Sequence, residues 1–156
     1  MSRSITLVSV FAAVLVSAAS VFGQGMGNDR PDPGELAARC VAHMEHVADQ
    51  TTRVIGHVTD ETVARIVHLD RAGASDDEII AAGRRGARAV ANVAMRGSGR
   101  VTHVERHCVR VLIRLGAERD LIMRVRAQAE GFREAIGTAA RRGVGVIRSA
   151  VAHAIG

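Results

Sequence analysis

The chain has 156 residues, with 21 basic side chains against 16 acidic ones and a formal net charge of +5. Tyr and Trp are absent and Phe occurs three times, so the aromatic side chains on which single-strand binders stack bases are missing. We therefore expect no RNA or single-strand binding and no sequence-specific nucleic-acid recognition. The length suits one domain with a single core.

The N-terminus has the order of a secretory signal peptide. Arg3 precedes an apolar run over residues 5–22, and the small residue Gly23 follows it, which predicts a signal peptide over residues 1–23 and a secreted or periplasmic protein. If the signal is not cleaved, residues 5–22 predict a membrane tether, because about 18 apolar residues approach the length that spans a bilayer. Residues 24–32 have no hydrophobic periodicity and predict a flexible leader.

Amphipathic helices are predicted for the rest of the chain. Asp32 followed by Pro33 is typical of an N-cap and a first helical residue, and apolar residues at spacings of three and four extend this first helix to about residue 58. Thr59 or Asp60 predicts the start of a short second helix, which ends near Gly73.

A capping-box sequence over residues 75–78 predicts that a third helix begins at about residue 76. Its apolar stripe includes small residues such as Gly83, which would let another backbone approach closely. Residues 97–99 (Gly-Ser-Gly) predict its end, and Thr102 with Glu105 predicts a capping box that opens a fourth helix. Fifth and sixth helices are predicted on either side of residues 137–138.

No strand pattern occurs, and the short loops favour antiparallel neighbours. We therefore predict an all-α fold, an up-and-down bundle of about five to six amphipathic helices over residues 33–156, with a two-repeat solenoid fragment as the alternative. The segment around Gly73 resembles the segment around Gly116 if a gap of three residues is allowed. This resemblance indicates either a duplicated helical hairpin or chance similarity among common residue types.

The two cysteines, Cys40 and Cys108, each lie on the apolar face of a predicted helix. In an exported protein this placement predicts an intrachain disulfide, which in the chain-entropy model stabilises the fold by about 4 kcal/mol. The alternative is two separate buried thiols, because free Cys packs as a small apolar side chain.

Four of the seven histidines flank these cysteines. An α-helix turns by about 100° and rises by about 1.5 Å per residue. If the two cysteine-bearing helices are antiparallel and meet at the cysteines, this geometry places all four histidines on the same side of the helix pair. The resulting patch would bind a transition metal such as Zn or Cu, because His at i, i+4 is a common ligand spacing. The alternative is four solvated side chains. The candidate metal ligands are His43, His46, His103 and His107.

Charge is divided unevenly along the chain. Residues 24–79 contain five Arg and eleven acidic residues, whereas residues 80–156 contain fifteen Arg and five acidic residues. The Arg-rich half predicts binding to an anionic polymer or a membrane surface, or association between copies of the chain, unless the two halves neutralise each other within the fold. The candidate anion-binding residues are Arg84, Arg85, Arg88, Arg96, Arg100, Arg141, Arg142 and Arg148.

No residue set has the spacing of a catalytic site. Ser75 belongs to the predicted cap, and the other serines after residue 24 lie in a glycine-rich joint and in the last predicted helix, without the setting of a nucleophile elbow. We therefore expect an exported, non-enzymatic binding or structural module. The alternatives are an extracytoplasmic metal-binding protein that uses the histidine patch and a polyanion or membrane-surface binder that uses the arginines.

Overall fold

The computed structural model describes residues 31–156, which form three long helices: α1 (Pro33–Arg71), α2 (Asp76–Arg114) and α3 (Arg119–Ala154). Every pair of helices is in contact, and the two connections are only four residues long. α1 and α2 are therefore antiparallel, as are α2 and α3. The all-α prediction is confirmed. The predicted signal peptide and most of the predicted leader lie outside the described residues.

The predicted number of five to six helices is wrong, because three predicted breaks lie inside continuous helices. Thr59 does not cap a helix; its hydroxyl donates to the Ile55 carbonyl at 2.8 Å, within α1. Thr102 likewise donates to the Ser98 carbonyl at 3.0 Å, within α2. The glycines at 97 and 99 each lower the helix propensity by about 1 kcal/mol, but α2 continues without a break through both of them.

Two predicted helix starts are confirmed. The Asp32 carboxylate accepts a hydrogen bond from the Glu35 N–H at 2.9 Å, and Pro33 is the first residue of α1. At the start of α2, the Glu78 carboxylate accepts the Ser75 backbone N–H at 3.0 Å and the Ser75 hydroxyl at 3.0 Å. Side-chain acceptors at these positions satisfy backbone donors that have no partner within the helix.

The two turns have the same construction, which accounts for the resemblance seen in the sequence. Gly73 and Gly116 have left-handed φ angles of 69° and 74°, a conformation that glycine adopts without steric cost. The next residue in each turn donates back to the carbonyl five positions earlier, from Ala74 to Leu69 and from Ala117 to Leu112, both at 3.0 Å. Both are Schellman motifs. The resemblance therefore marks two copies of one turn within a three-helix bundle.

The core repeats every eleven residues. Ten large apolar side chains, each at most 2% exposed, recur at this interval within each helix. Eleven residues make three turns at 3.67 residues per turn, close to the period of a straight α-helix, so these side chains stay on the face that points to the bundle axis. They are Met44, Ile55 and Ile66 on α1, Ile79, Val90, Val101 and Leu112 on α2, and Val125, Ile136 and Ile147 on α3.

The same interval governs the contact between α1 and α2. A Cβ atom built on Gly97 would lie 2.3 Å from Thr51 Cγ2, and one built on Gly86 would lie 2.2 Å from Thr62 Cγ2. Only glycine fits opposite these threonines, whose hydroxyls donate to carbonyls of their own helix at 2.7 Å. These two threonine–glycine contacts fix the antiparallel register, since eleven residues up α1 correspond to eleven residues down α2.

Glycine also allows α3 to approach its neighbours. A Cβ on Gly143 would lie 2.6 Å from Thr59 Oγ1 on α1, and a Cβ on Gly83 would lie 2.4 Å from Val151 Cγ2. The prediction that Gly83 lies at a close helix contact is therefore confirmed. Like the pairs between α1 and α2, these contacts set a glycine against a β-branched side chain.

Candidate functional site

The cysteines occupy the next position along the α1–α2 contact. Cys40 lies eleven residues before Thr51, and Cys108 lies eleven residues after Gly97. Both are free thiols, with 8% and 1% of their surface exposed. The disulfide predicted from the sequence is not formed in the structure and stays a prediction.

The two thiols influence each other's ionisation. Hydrogen bonding from Cys108 to the Cys40 thiolate lowers the pKa of Cys40, which burial tends to raise. The same interaction, followed by burial and by the charge of Cys40, raises the pKa of Cys108. Cys40 is therefore the thiol that ionises first.

The structure does not gather the four candidate metal ligands into one site. All four are exposed, and no group of three or more potential ligands lies together among residues 31–156. His46 and His103 are about 120° and 140° around their helices from Cys40 and Cys108. These two histidines are exposed on different helices.

Of the three helices, α2 carries the most exposed arginines. This helix carries eight exposed arginines and four acidic residues, three of which are in its first turn, where carboxylates stabilise the positive end of the helix dipole. The fourth, Glu105, accepts a hydrogen bond from Arg133 on α3. Within the described residues no carboxylate forms an ion pair with any arginine of α2.

The continuity of α2 adds arginines that the sequence analysis missed. Five of the arginines predicted to bind anions lie on α2 before or near the Gly97–Gly99 segment, and three more follow on the same helix. Only the break predicted at residues 97–99 separates these three arginines from the first five. The eight residues, here called the arginine row, span about 45 Å from first to last at 1.5 Å per residue. They are Arg84, Arg85, Arg88, Arg96, Arg100, Arg106, Arg110 and Arg114.

One end of the arginine row opens into a shallow groove between α2 and α3. Arg106 and Arg110 line it from α2, and Arg126 lines it from α3. Glu105 is the only carboxylate lining this groove, and it is engaged by Arg133. Three guanidinium groups beside a neutralised carboxylate can bind phosphate, sulfate or carboxylate groups through paired N–H donors. We call these three residues the groove arginines.

The three predicted arginines of α3 have different surroundings. Arg141 donates to the Thr138 hydroxyl at 2.9 Å. Arg142 lines a second shallow groove, whose other residues come from α1 and α3 and include Thr52. Arg148 lies three residues before Val151, which packs against Gly83, so it is level with the start of the arginine row. The predicted basic surface is therefore divided, and Arg142 belongs to a different side of the bundle.

No family model matches the chain, and comparison with curated proteins and with solved structures gives no match either. Within residues 31–156, no helix is sufficiently long and apolar to cross a membrane. The apolar faces of all three helices are instead directed into the shared core.

Proposed function

We propose that this protein is an exported, non-enzymatic helical module that binds a linear polyanion through the arginine row of α2. The observation that carries the proposal is the set of eight exposed arginines on one helix without ion-pair partners among the described residues. Surface charges of one sign attract polyanions and release their bound counterions, which makes binding favourable at low salt.

A polymer fits this surface better than a membrane does. The arginines extend over about 45 Å, a length that a polymer of repeated anionic groups can follow. Helices that lie on membranes bury an apolar face in the lipid, whereas the apolar face of α2 packs into the bundle core. On α2, only Met95 and Ile113 are exposed large apolar side chains. Binding to a membrane surface is the competing hypothesis.

Heparin, a linear sulfated polymer, is the probe for this proposal. We expect the protein to be retained on heparin and to elute well above physiological salt, with an affinity that falls steeply as salt rises. Elution near physiological salt would contradict the proposal. Stronger binding to phosphatidylserine vesicles than to heparin at the same salt would show that the ligand is a membrane surface and not a polymer.

A matched pair of triple variants tests whether the polyanion binds at the end of the arginine row that lines the groove between α2 and α3. Changing the groove arginines, Arg106, Arg110 and Arg126, to Ala should reduce the salt slope by about 2 to 3, since each lost contact with an anionic group removes about 0.7–0.9. The control changes three exposed arginines of α1, Arg53, Arg65 and Arg71, to Ala. It removes the same charge and should leave most of the affinity. Equal losses in both variants would show net charge alone to be responsible.

A separate experiment addresses export. Expression of the full chain should yield a mature protein whose N-terminal residue is Gln24, read by mass spectrometry of the exported fraction. An intact N-terminus in a membrane fraction would favour the tethered form. Polyanion binding by residues 31–156 is independent of this result.

A further inference from the structure

We propose that Cys40 and Cys108 are an oxidisable pair, in which Cys40 is the attacking sulfur and Cys108 closes a disulfide between the start of α1 and the end of α2. This inference is independent of polyanion binding. It says which of the two buried thiols reacts first and what the resulting disulfide does to the helix pair.

The register of α1 and α2 is the first argument. The threonine–glycine contacts Thr51–Gly97 and Thr62–Gly86 hold the two backbones close at intervals of eleven residues, and the cysteines lie at the next interval. Both cysteines are buried along this contact. A disulfide requires close Cα atoms and converging Cβ directions, and the proposal is that the register brings the two cysteines near this geometry. The effect of the two thiols on each other's pKa agrees with this placement.

The two cysteines are not equivalent. Cys40 is 8% exposed and lies in the second turn of α1, whereas Cys108 is 1% exposed. The hydrogen bond with Cys108 also lowers the pKa of Cys40. Because the thiolate is the species that attacks a disulfide, both accessibility and ionisation favour Cys40 as the first sulfur to react.

The oxidant is an external disulfide, either a small molecule or a disulfide-exchange protein. The Cys40 thiolate attacks one sulfur of the oxidant, forms a mixed disulfide and expels the other sulfur as a thiolate. Cys108 then loses its proton and attacks the Cys40 sulfur, which forms the Cys40–Cys108 bond and expels the second sulfur. The two protein thiols are oxidised, and one external disulfide is reduced to two thiols.

The disulfide would add a second covalent connection between α1 and α2, at the end of their hairpin that is opposite the turn. The turn over residues 72–75 connects them at one end, and the cysteines lie about 48 Å away along α1, at 1.5 Å per residue. In the reduced protein, only noncovalent packing holds the first turns of α1 against α2. Oxidation would therefore protect the N-terminal end of α1 from local opening.

Oxidised glutathione is the test oxidant for the folded, reduced protein. We expect the unmutated protein to lose both thiols, to become lighter by two hydrogens and to retain no glutathione. The Cys108→Ser variant should keep one glutathione attached to Cys40. The Cys40→Ser variant should react with oxidised glutathione at least about tenfold more slowly than the Cys108→Ser variant. Two free thiols that persist in the unmutated protein would overturn the proposal. Equal rates in the two variants would overturn the order of reaction.

A displaced cysteine provides the matched control. The double variant Cys40→Ala with Ala42→Cys keeps two cysteines but moves one to an exposed position of α1. It should accept glutathione without closing a ring, and ring closure in this variant would contradict the dependence on register. If circular dichroism shows that a serine variant has lost helix, alkylation of the unmutated protein during the reaction locates the first glutathione instead. First attachment to Cys108 would refute the assignment.

Discussion

Gly97 offers the sharpest test of the helix register. Alanine has the higher helix propensity, so a glycine-to-alanine change at an open position inside a helix should stabilise the protein by about 1 kcal/mol. At Gly97, however, the added Cβ would lie 2.3 Å from Thr51 Cγ2, 2.5 Å from its Oγ1 and 2.9 Å from its Cβ. Rotation of the Thr51 side chain moves the first two atoms but not the third. The backbones of α1 and α2 must therefore separate.

The expected effect follows from these opposing terms. Overpacking a well-packed contact typically costs about 1–3 kcal/mol, against the propensity gain of about 1 kcal/mol. We expect Gly97→Ala to lower the free energy of unfolding by about 1 kcal/mol. Gly99 is two residues away on the same helix, and a Cβ there meets no atom within 4 Å. Gly99→Ala should raise the free energy of unfolding by about 1 kcal/mol.

Urea denaturation followed by circular dichroism measures both variants, with equal m-values required for the comparison. The effect of Gly97→Ala should shrink by about 1 kcal/mol when Thr51→Ala is also present, because that change removes the two closest atoms. If Gly97→Ala stabilises the protein as much as Gly99→Ala does, the helices do not meet at this position. The register, and with it the opposition of Cys40 and Cys108, would then be refuted.

Two further predictions concern carboxylates. Arg133→Ala should lower the free energy of unfolding by about 2 kcal/mol in urea denaturation, because it leaves the Glu105 side chain, 15% exposed, without its partner; an unchanged midpoint would contradict this. The pKa of Glu78 is lowered, first by the Ser75 N–H and then by the Ser75 hydroxyl. Its cap therefore stabilises fully above the ordinary glutamate pKa and is lost as pH falls through the lowered value. Glu78→Gln should remove that part of the acid dependence of thermal unfolding, and an unchanged profile would rule the cap out as its source.

Local signals at the helix starts were sufficient to predict them. Asp32 and Ser75 lie next to helices that need side-chain acceptors for their first N–H groups, and both starts are where the sequence pattern predicted them. The partners of these caps lie within three residues in the sequence. Such signals require no knowledge of the tertiary structure.

The helix ends predicted within α1 and α2 are wrong. They were predicted from local residue types, whereas these residues are selected by contacts between helices. From the sequence alone, Gly97 predicts a helix break and Thr59 predicts a helix cap. In the structure each lies where two helices approach closely, with Thr51 against Gly97 and Gly143 against Thr59. The eleven-residue interval is the signal that distinguishes these contacts from breaks, because it continues through them.

The structure does not confirm the histidine patch, since no group of three or more potential ligands lies together among residues 31–156. The helical angles placed His46 and His103 on the same rotational side as the other two, but that side was measured from the cysteines and not from the bundle axis. Both histidines are exposed, and they lie on different helices.

The core interval also determines the geometry of the proposed polyanion surface. Arg84 and Arg106, like Arg88 and Arg110, are separated by two core repeats. Because the helices are packed at that same interval, the members of each pair have the same position relative to α1 and α3. The arginine row thus keeps one orientation along α2, although it takes no part in the core. A change that shifts the register of α1 against α2 should therefore slow closure of the cysteine pair. It should leave heparin binding nearly intact, because the row lies on a single continuous helix.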